Sequence, residues 1–157
     1  MTDWIVIPFR GPEGAKSRLA PALDEAGRRV LTIAMFERVL AATVECRGTS
    51  GATDVLVVTP SSTAAAIARS AGARVLMEQT GSLNAALELA RDFLRGEGPG
   101  AMTVIAADLP DVAAADIAAI MHARNDGVAI APDHTGQGTN AISVALDCDL
   151  PFRFGIG

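Results

Sequence analysis

Trp4-Ile5-Val6-Ile7-Pro8-Phe9-Arg10-Gly11-Pro12-Glu13-Gly14-Ala15-Lys16-Ser17-Arg18-Leu19 reads as a buried apolar strand running into a glycine-bearing loop. The loop holds Lys16, the only lysine of the chain, between Arg10 and Arg18; the other 12 of the 13 basic residues are arginine. Backbone N–H groups freed by glycine, together with fixed cations, form the anion cradle with which α/β proteins hold phosphates. A solvated surface loop is the alternative for this segment taken alone. The flanking sequence weighs on the choice.

Strand-like runs alternate with helical patterns through the rest of the chain. Short apolar stretches cover residues 4–8, 54–59, 73–77, 102–107, 128–132 and 141–146, and most are continuous, as expected for strands covered on both faces. Helical patterns lie near 24–46, 62–71, 82–95 and 113–124. Leu31, Ala34, Met35, Val39 and Ala42 mark one face of the first; Ala113, Ile117, Ile120 and Met121 mark one face of the last. Ser61 or Ser62 and Ser82 are placed as N-caps, Asp111 as the capping acid of the last helix, and Gly96 as a left-handed helix end. The alternation predicts right-handed crossovers and an α/β fold: an open, mainly parallel sheet with helices on both faces, in one domain spanning 1–157. Ligands of such sheets sit beyond the carboxyl ends of the strands. Loops 9–19, 79–84, 108–112 and 133–140 are therefore expected to converge on one edge.

Composition narrows the function. Half of the 157 residues are apolar but only 4% are aromatic, so Ala, Val, Ile and Leu must build the core. A net charge of -5 argues against nucleic acid or an acidic membrane as partner. Residues 1–30 nevertheless hold five cations against four acids, whereas the remainder holds 8 cations and 14 acids. A cationic excess confined to the first loop points to a small anionic ligand. Cys46 and Cys148 stand in no metal-type spacing and read as reduced thiols. There is no signal peptide and no apolar run of spanning length, and a cytoplasmic protein is expected.

Four constellations carry chemistry. In the first, Lys16-Ser17 fits the end of a Walker A loop, but Ala15 and Arg10 occupy its glycine positions, so a P-loop is rejected; no dinucleotide fingerprint occurs either. The second is Asp108, in Ala106-Ala107-Asp108-Leu109-Pro110 at the end of an apolar strand. It is a natural ligand for Mg²⁺ bridging nucleotide phosphates, or else a turn acid. The third, Asp133-His134-Thr135-Gly136-Gln137-Gly138-Thr139-Asn140, offers N–H and hydroxyl donors to an oxyanion, or is an ordinary hairpin-like connection. The fourth, Gly81-Ser82-Leu83-Asn84-Ala85-Ala86, opens a helix that faces a nucleotide or is simply capped. Asp147-Cys148-Asp149 reads as a turn, His122 and His134 lack metal-type spacing, and Arg91 and Arg124 read as surface residues. No Ser/His/Asp arrangement supports covalent hydrolysis.

Val6-Ile7-Pro8, Ala15-Lys16-Ser17-Arg18-Leu19, Leu83-Asn84-Ala85-Ala86, Ala107-Asp108-Leu109-Pro110, Gly138-Thr139-Asn140-Ala141 and Phe152-Arg153-Phe154-Gly155 occur in this order across nearly the whole chain. That ordered set resembles the 2-phospho-L-lactate guanylyltransferase family of coenzyme F-420 biosynthesis, within the nucleotidyltransferases that include molybdenum-cofactor guanylyltransferase. The resemblance implies a Rossmann-like nucleotidyltransferase fold and a Mg²⁺-dependent transfer of GMP from GTP. The acceptor would be a phospho-acid (2-phospho-L-lactate, phosphoenolpyruvate or 3-phosphoglycerate), with release of pyrophosphate. By that likeness Lys16 and Asp108 would be catalytic and Asp108 would bind Mg²⁺. Pro8, Arg10, Gly11, Lys16, Arg18 and Asn84 would bind the nucleotide; Gly138, Thr139, Asn140 and Gly155 would bind the acceptor. The partners implied are these small molecules, with room for a homodimer.

Two features depart from the family pattern. Arg10 stands where lysine is more usual. Family members also continue past the end of this chain to a late acidic pair that completes the metal site, so the chain is expected to lack that C-terminal segment, and the second metal ligand is unassigned. A molybdenum-cofactor-type nucleotidyltransferase is the runner-up, although Gly11-Pro12-Glu13-Gly14 lacks that group's Gly-Gly element. A non-catalytic nucleotide-binding remnant is the reading outside enzymes.

Overall fold

Seven residues from Thr2 to Pro8 form the first strand, β1, and the apolar character of Trp4–Ile7 places it in the middle of a sheet. The structure, a computed structural model, describes residues 1–13, 17–51, 54–125 and 127–155. A short 3₁₀ turn (Ser17–Leu19) follows β1, then α1 (Glu25–Thr49), β2 (Asp54–Thr59), α2 (Ser62–Ser70), β3 (Arg74–Met77) and α3 (Leu83–Glu97). β4 (Gly100–Ile105), α4 (Ala114–Ala123), β5 (Val128–Pro132) and β6 (Thr139–Ala145) complete the order. The six strands lie in the order β3-β2-β1-β4-β6-β5. β1 pairs in parallel with β2 and β4, and β2 with β3. The expected mainly parallel sheet is present, with one reversal: β6 runs antiparallel to both β4 and β5. The loop from Asp133 to Gly138 is too short for a crossover helix, so β5 and β6 are joined as a hairpin.

Successive side chains of each central strand point to opposite faces. Ile5, Ile7, Val55, Val57 and Ile105 pack against Phe36, Val39 and Leu40 of α1, Ala64 and Ala68 of α2, and Ile117 and Met121 of α4. Trp4, Val6, Leu56, Val58, Met102 and Val144 pack on the other face against Ala86, Leu87, Ala90 and Leu94 of α3, together with Leu146 and Phe152. Each fully buried Leu, Ile or Phe stabilises the fold by about 1.5–3 kcal/mol. The helices thus cover both faces, and strand order reverses between β1 and β4.

The local details depart from the sequence reading in four places. The buried face of α1 is Thr32, Phe36, Val39, Leu40, Ala42, Thr43 and Cys46, with Ala34 exposed. The helix is turned by Phe36, whose ring stacks on Phe9 at 4.3 Å between centroids. α3 runs past Gly96 to Glu97 and is closed by Gly98, at φ +127°. α4 is not capped by Asp111, which lies two residues before the N-cap position, Ala113; Asp116 reaches back instead, accepting from Ala113 N at 2.9 Å. Arg91 is buried rather than a surface residue, and Arg124 is largely buried beside Asp3. Ser61 and Ser82 do cap α2 and α3, accepting from Ala64 N and Ala85 N. Among the described residues no helix is long and apolar enough to cross a membrane.

Candidate active site

A cleft of about 720 Å³ opens at the carboxyl edge of the sheet, where β1 leads on to β2 on one side and β4 leads on to β5 on the other. Pro8, Phe9, Arg10, Gly11 and Glu13 line it from the loop after β1, and Ala106, Ala107 and Asp108 from the loop after β4. Val58 and Pro60 come from the end of β2, Glu78 from the end of β3, and Ser82, Leu83 and Ala86 from the start of α3. Thr32 of α1 also borders it, and its buried hydroxyl has no hydrogen-bond partner.

The first wall is held by the β-sheet itself. Phe9 N donates to Val58 O at 2.9 Å, extending the β1–β2 pairing one step beyond Pro8. At Gly11 the backbone turns with φ +102°, and a Cβ would stand 2.7 Å from Ser61 Cβ. Only glycine fits this turn. Arg10 is exposed into the cleft, while Glu13 is paired with Arg29 at 3.0 Å, which offsets the one acid on that wall. Lys16 lies outside the described residues, and Arg18 is exposed on the 3₁₀ turn.

Pro8, Arg10, Gly11 and Asp108 are therefore brought together, whereas Arg18, Asn84, Gly138, Thr139, Asn140 and Gly155 do not line this cleft. Ala106 N donates to Asn140 O at 3.0 Å, which sets the start of β6 beside the Asp108 loop. Asn140 lines a second cavity of about 530 Å³ with Leu109, Asp111, Ile117, Ala131 and His134, between α4 and the β5–β6 hairpin. Within the hairpin loop, Asp133 accepts from Thr135 N at 2.9 Å, Thr135 Oγ1 at 2.7 Å and Gln137 N at 3.2 Å. The Thr135 hydroxyl first, then the Gly138, Gln137 and Thr135 amides, hold the Asp133 carboxyl down to about 2. The donors offered to an oxyanion by the sequence reading are turned onto Asp133. Of the expected acceptor residues, Asn140 is tied to the Asp108 loop through its carbonyl.

Asn84 has a partner that the sequence did not reveal. Its Nδ2 donates to Phe154 O at 3.0 Å and its Oδ1 accepts from Phe154 N at 2.8 Å, with Gly155 next along the chain. Glu78 was also missed. It is 6% exposed at the end of β3, and its Oε2 accepts from Thr80 N at 2.7 Å and Thr80 Oγ1 at 2.6 Å. An acid directly after an apolar strand was the signal that singled out Asp108, and it applies equally to Glu78. Among the described residues no group of three or more His, Cys, Asp or Glu could hold a metal ion. The cleft thus offers an exposed arginine, a helix N-terminus and two strand-end carboxylates. That set suits a phosphorylated ligand with polar groups at its other end.

Comparison with known proteins places the chain in a family. The family profile described as "Guanylyl transferase CofC like" matches residues 3–156. A phosphoenolpyruvate guanylyltransferase of Rubrobacter xylanophilus is 41% identical over 159 residues, covering 100% of this chain and 76% of that protein. Another, of Chloroflexus aggregans, is 36% identical over 97% of this chain and 76% of its own length. Among solved structures, a nucleotide-diphospho-sugar transferase of Desulfovibrio desulfuricans superposes with a TM-score of 0.70 at 17% identity, over 94% of this chain and 65% of that one. A nucleotidyl transferase of Methanothermobacter gives 0.65 at 17% identity, over 93% and 72%. The structures share the fold; the family match carries the chemistry.

Proposed function

Because the chain belongs to the CofC-like guanylyl transferase family, we propose that it transfers GMP from GTP to a small phospho-acid in coenzyme F-420 biosynthesis, with phosphoenolpyruvate the first acceptor to test. The observation that carries this reading is the cleft at the β1/β4 divergence, with Arg10, Gly11, Asp108 and the start of α3 on its walls. A molybdenum-cofactor-type reaction is not favoured, since the relatives named above are phosphoenolpyruvate guanylyltransferases.

In the proposed reaction an oxygen of the acceptor phosphate forms a bond to the α-phosphorus of GTP. The bond from that phosphorus to the bridging oxygen breaks, and pyrophosphate leaves with the electron pair. The attacking phosphate is already an anion near neutral pH, so the site needs no strong base. It needs alignment and neutralisation of developing charge. Arg10, Lys16 and Arg18 supply positive charge along the triphosphate, and the N–H groups opening α3 add oriented dipoles. Thr139 and Asn140, with Gly155, are assigned to the acceptor.

A carboxylate at a strand end beside a phosphate-suited loop fits Mg²⁺, which is commonly bound by one or two carboxylates with phosphates and water filling its other positions. Asp108 is the residue assigned to hold it. When bound, Mg²⁺ neutralises phosphate charge and stabilises the leaving pyrophosphate. At the far end, Thr80 holds Glu78 Oε2, and Oε1 is the oxygen assigned to accept from guanine, whose N1–H and exocyclic N2–H groups donate, whereas adenine lacks the N1–H.

The test is pyrophosphate release from the protein with GTP, Mg²⁺ and each of phosphoenolpyruvate, 2-phospho-L-lactate and 3-phosphoglycerate, with ATP as control. Release that needs both GTP and one acid is expected. No release with any of the three refutes the reading.

A further inference from the structure

Along one face of α3, Asn84, Glu88, Arg91 and Arg95 follow each other at helical spacing and bind main chain rather than another helix. Arg95 Nε donates to Leu146 O at 2.6 Å. Arg91 donates to Cys148 O at 2.9 Å and to Leu150 O at 2.6 Å. Glu88 Oε1 accepts from Phe152 N at 2.9 Å, and Asn84 closes on both polar groups of Phe154. Residues 146–154 therefore form a strap laid antiparallel along the helix. Its middle is seated by the Phe152 ring, which lies under the Arg91 guanidinium at 4.3 Å. The last tie, Asn84, falls in the first turn of α3, whose neighbours Leu83 and Ala86 line the cleft. Gly155 comes next, with φ +116°.

We infer that Asn84 is a positioning residue for the acceptor: by gripping Phe154 it fixes the Gly155 main chain at the edge of the cleft, where the phospho-acid is taken. The inference rests on the guanylyl transfer proposed above. It differs from the nucleotide-seating role that the resemblance implies, because each polar atom of the Asn84 amide is already aimed at Phe154. The strap translates four side chains of α3 into one main-chain position. Asn84 sets the final step.

The test compares the parent with Asn84→Ala and Asn84→Asp, measuring kcat and the KM for GTP and for each phospho-acid. Thermal melting reports the fold, and the rate of tryptic cleavage after exposed Arg153 reports the strap. Asn84→Ala is expected to raise the acceptor KM by about tenfold, with the GTP KM unmoved. Asn84→Asp keeps the acceptor for Phe154 N and loses the donor to Phe154 O, so it falls between. Cleavage after Arg153 accelerates in the same order. A rise in the GTP KM with the acceptor KM unmoved overturns the inference in favour of direct nucleotide contact. Both constants moving together with a lowered melting temperature overturns it in favour of a purely structural role. An active parent whose acceptor KM ignores both variants refutes the inference alone; a parent inert with all three acids refutes the guanylyl transfer and the inference with it.

Discussion

Replacing Arg91 by alanine removes the middle tie of the strap, and the structure sets the size of the effect. Arg91 is 2% exposed and donates to two main-chain carbonyls, Cys148 O and Leu150 O, while lying over the Phe152 ring. A hydrogen bond to a charged group contributes about 1.5–3 kcal/mol, and a desolvated cation–π contact about 0.5–2 kcal/mol. The contact with Glu88 at 3.3 Å adds little, because that carboxylate is 42% exposed. Against these stands the relief of no longer burying a guanidinium, which recovers part of the loss. The net cost of Arg91→Ala is about 3 kcal/mol, which for a chain of this size lowers Tm by about 6–12 °C. Urea denaturation and thermal melting measure it, with Arg69→Ala, at an exposed position of α2, as the control expected within about 0.5 kcal/mol. A Tm for Arg91→Ala within about 2 °C of that control refutes the claim that the strap is tied through this residue.

Lys16→Ala is expected to weaken GTP binding by about 1.5–3 kcal/mol in calorimetry, from loss of a charge-assisted contact, without lowering Tm; unchanged affinity removes Lys16 from the phosphate site. Asp108→Asn keeps the shape and loses the charge that anchors the cation, so pyrophosphate release falls by orders of magnitude while GTP still binds. Wild-type turnover in that variant ends the metal assignment. Glu78→Gln is expected to cut the preference for GTP over ATP by about tenfold in competitive binding, since Thr80 holds the amide oxygen and leaves an NH2 facing the guanine donors; an unaltered preference clears Glu78 of base recognition. The Asp133 carboxyl is held down to about 2 from an ordinary 3.8, so its support of the hairpin is complete above the ordinary value and is lost as pH falls through about 2. The Thr135 and Gln137 amide resonances should titrate with that lower midpoint, and a midpoint at the ordinary value contradicts the hydrogen bonding described.

Strands were legible because β1, β2 and β4 are continuous apolar runs, a pattern that burial on both faces demands. The gathering of Pro8, Arg10, Gly11 and Asp108 on one edge followed from the rule that places ligands at strand carboxyl ends. What stayed hidden depends on distant partners. The turning of α1 is set by Phe36 meeting Phe9 across the core, which helical periodicity alone does not weigh. The burial of Arg91 was invisible because arginine reads as solvent-facing until two carbonyls more than 50 residues away are known to meet it. The hydrogen bonds of Asn84 stayed hidden for the same reason: its partner, Phe154, lies 70 residues on. The reversal of β6 had a local trace in the short loop 133–138, but its insertion between β4 and β5 had none.

β1 precedes β4 by about a hundred residues, yet the two pair directly, Trp4 meeting Met102, a non-local contact of the kind that folds slowly. The emerging chain can join β1 to β2 and β2 to β3 early, but the other edge of β1 stays open until β4 has been made. A nascent chain halted before Gly100 therefore keeps an unpaired backbone edge beside Trp4 and Val6, without Met102 to pack on them, the arrangement that invites aggregation. The two walls of the cleft meet only when that edge closes. Assembly of the cleft and protection of that edge from aggregation are thus acquired in a single step, when β4 joins the sheet.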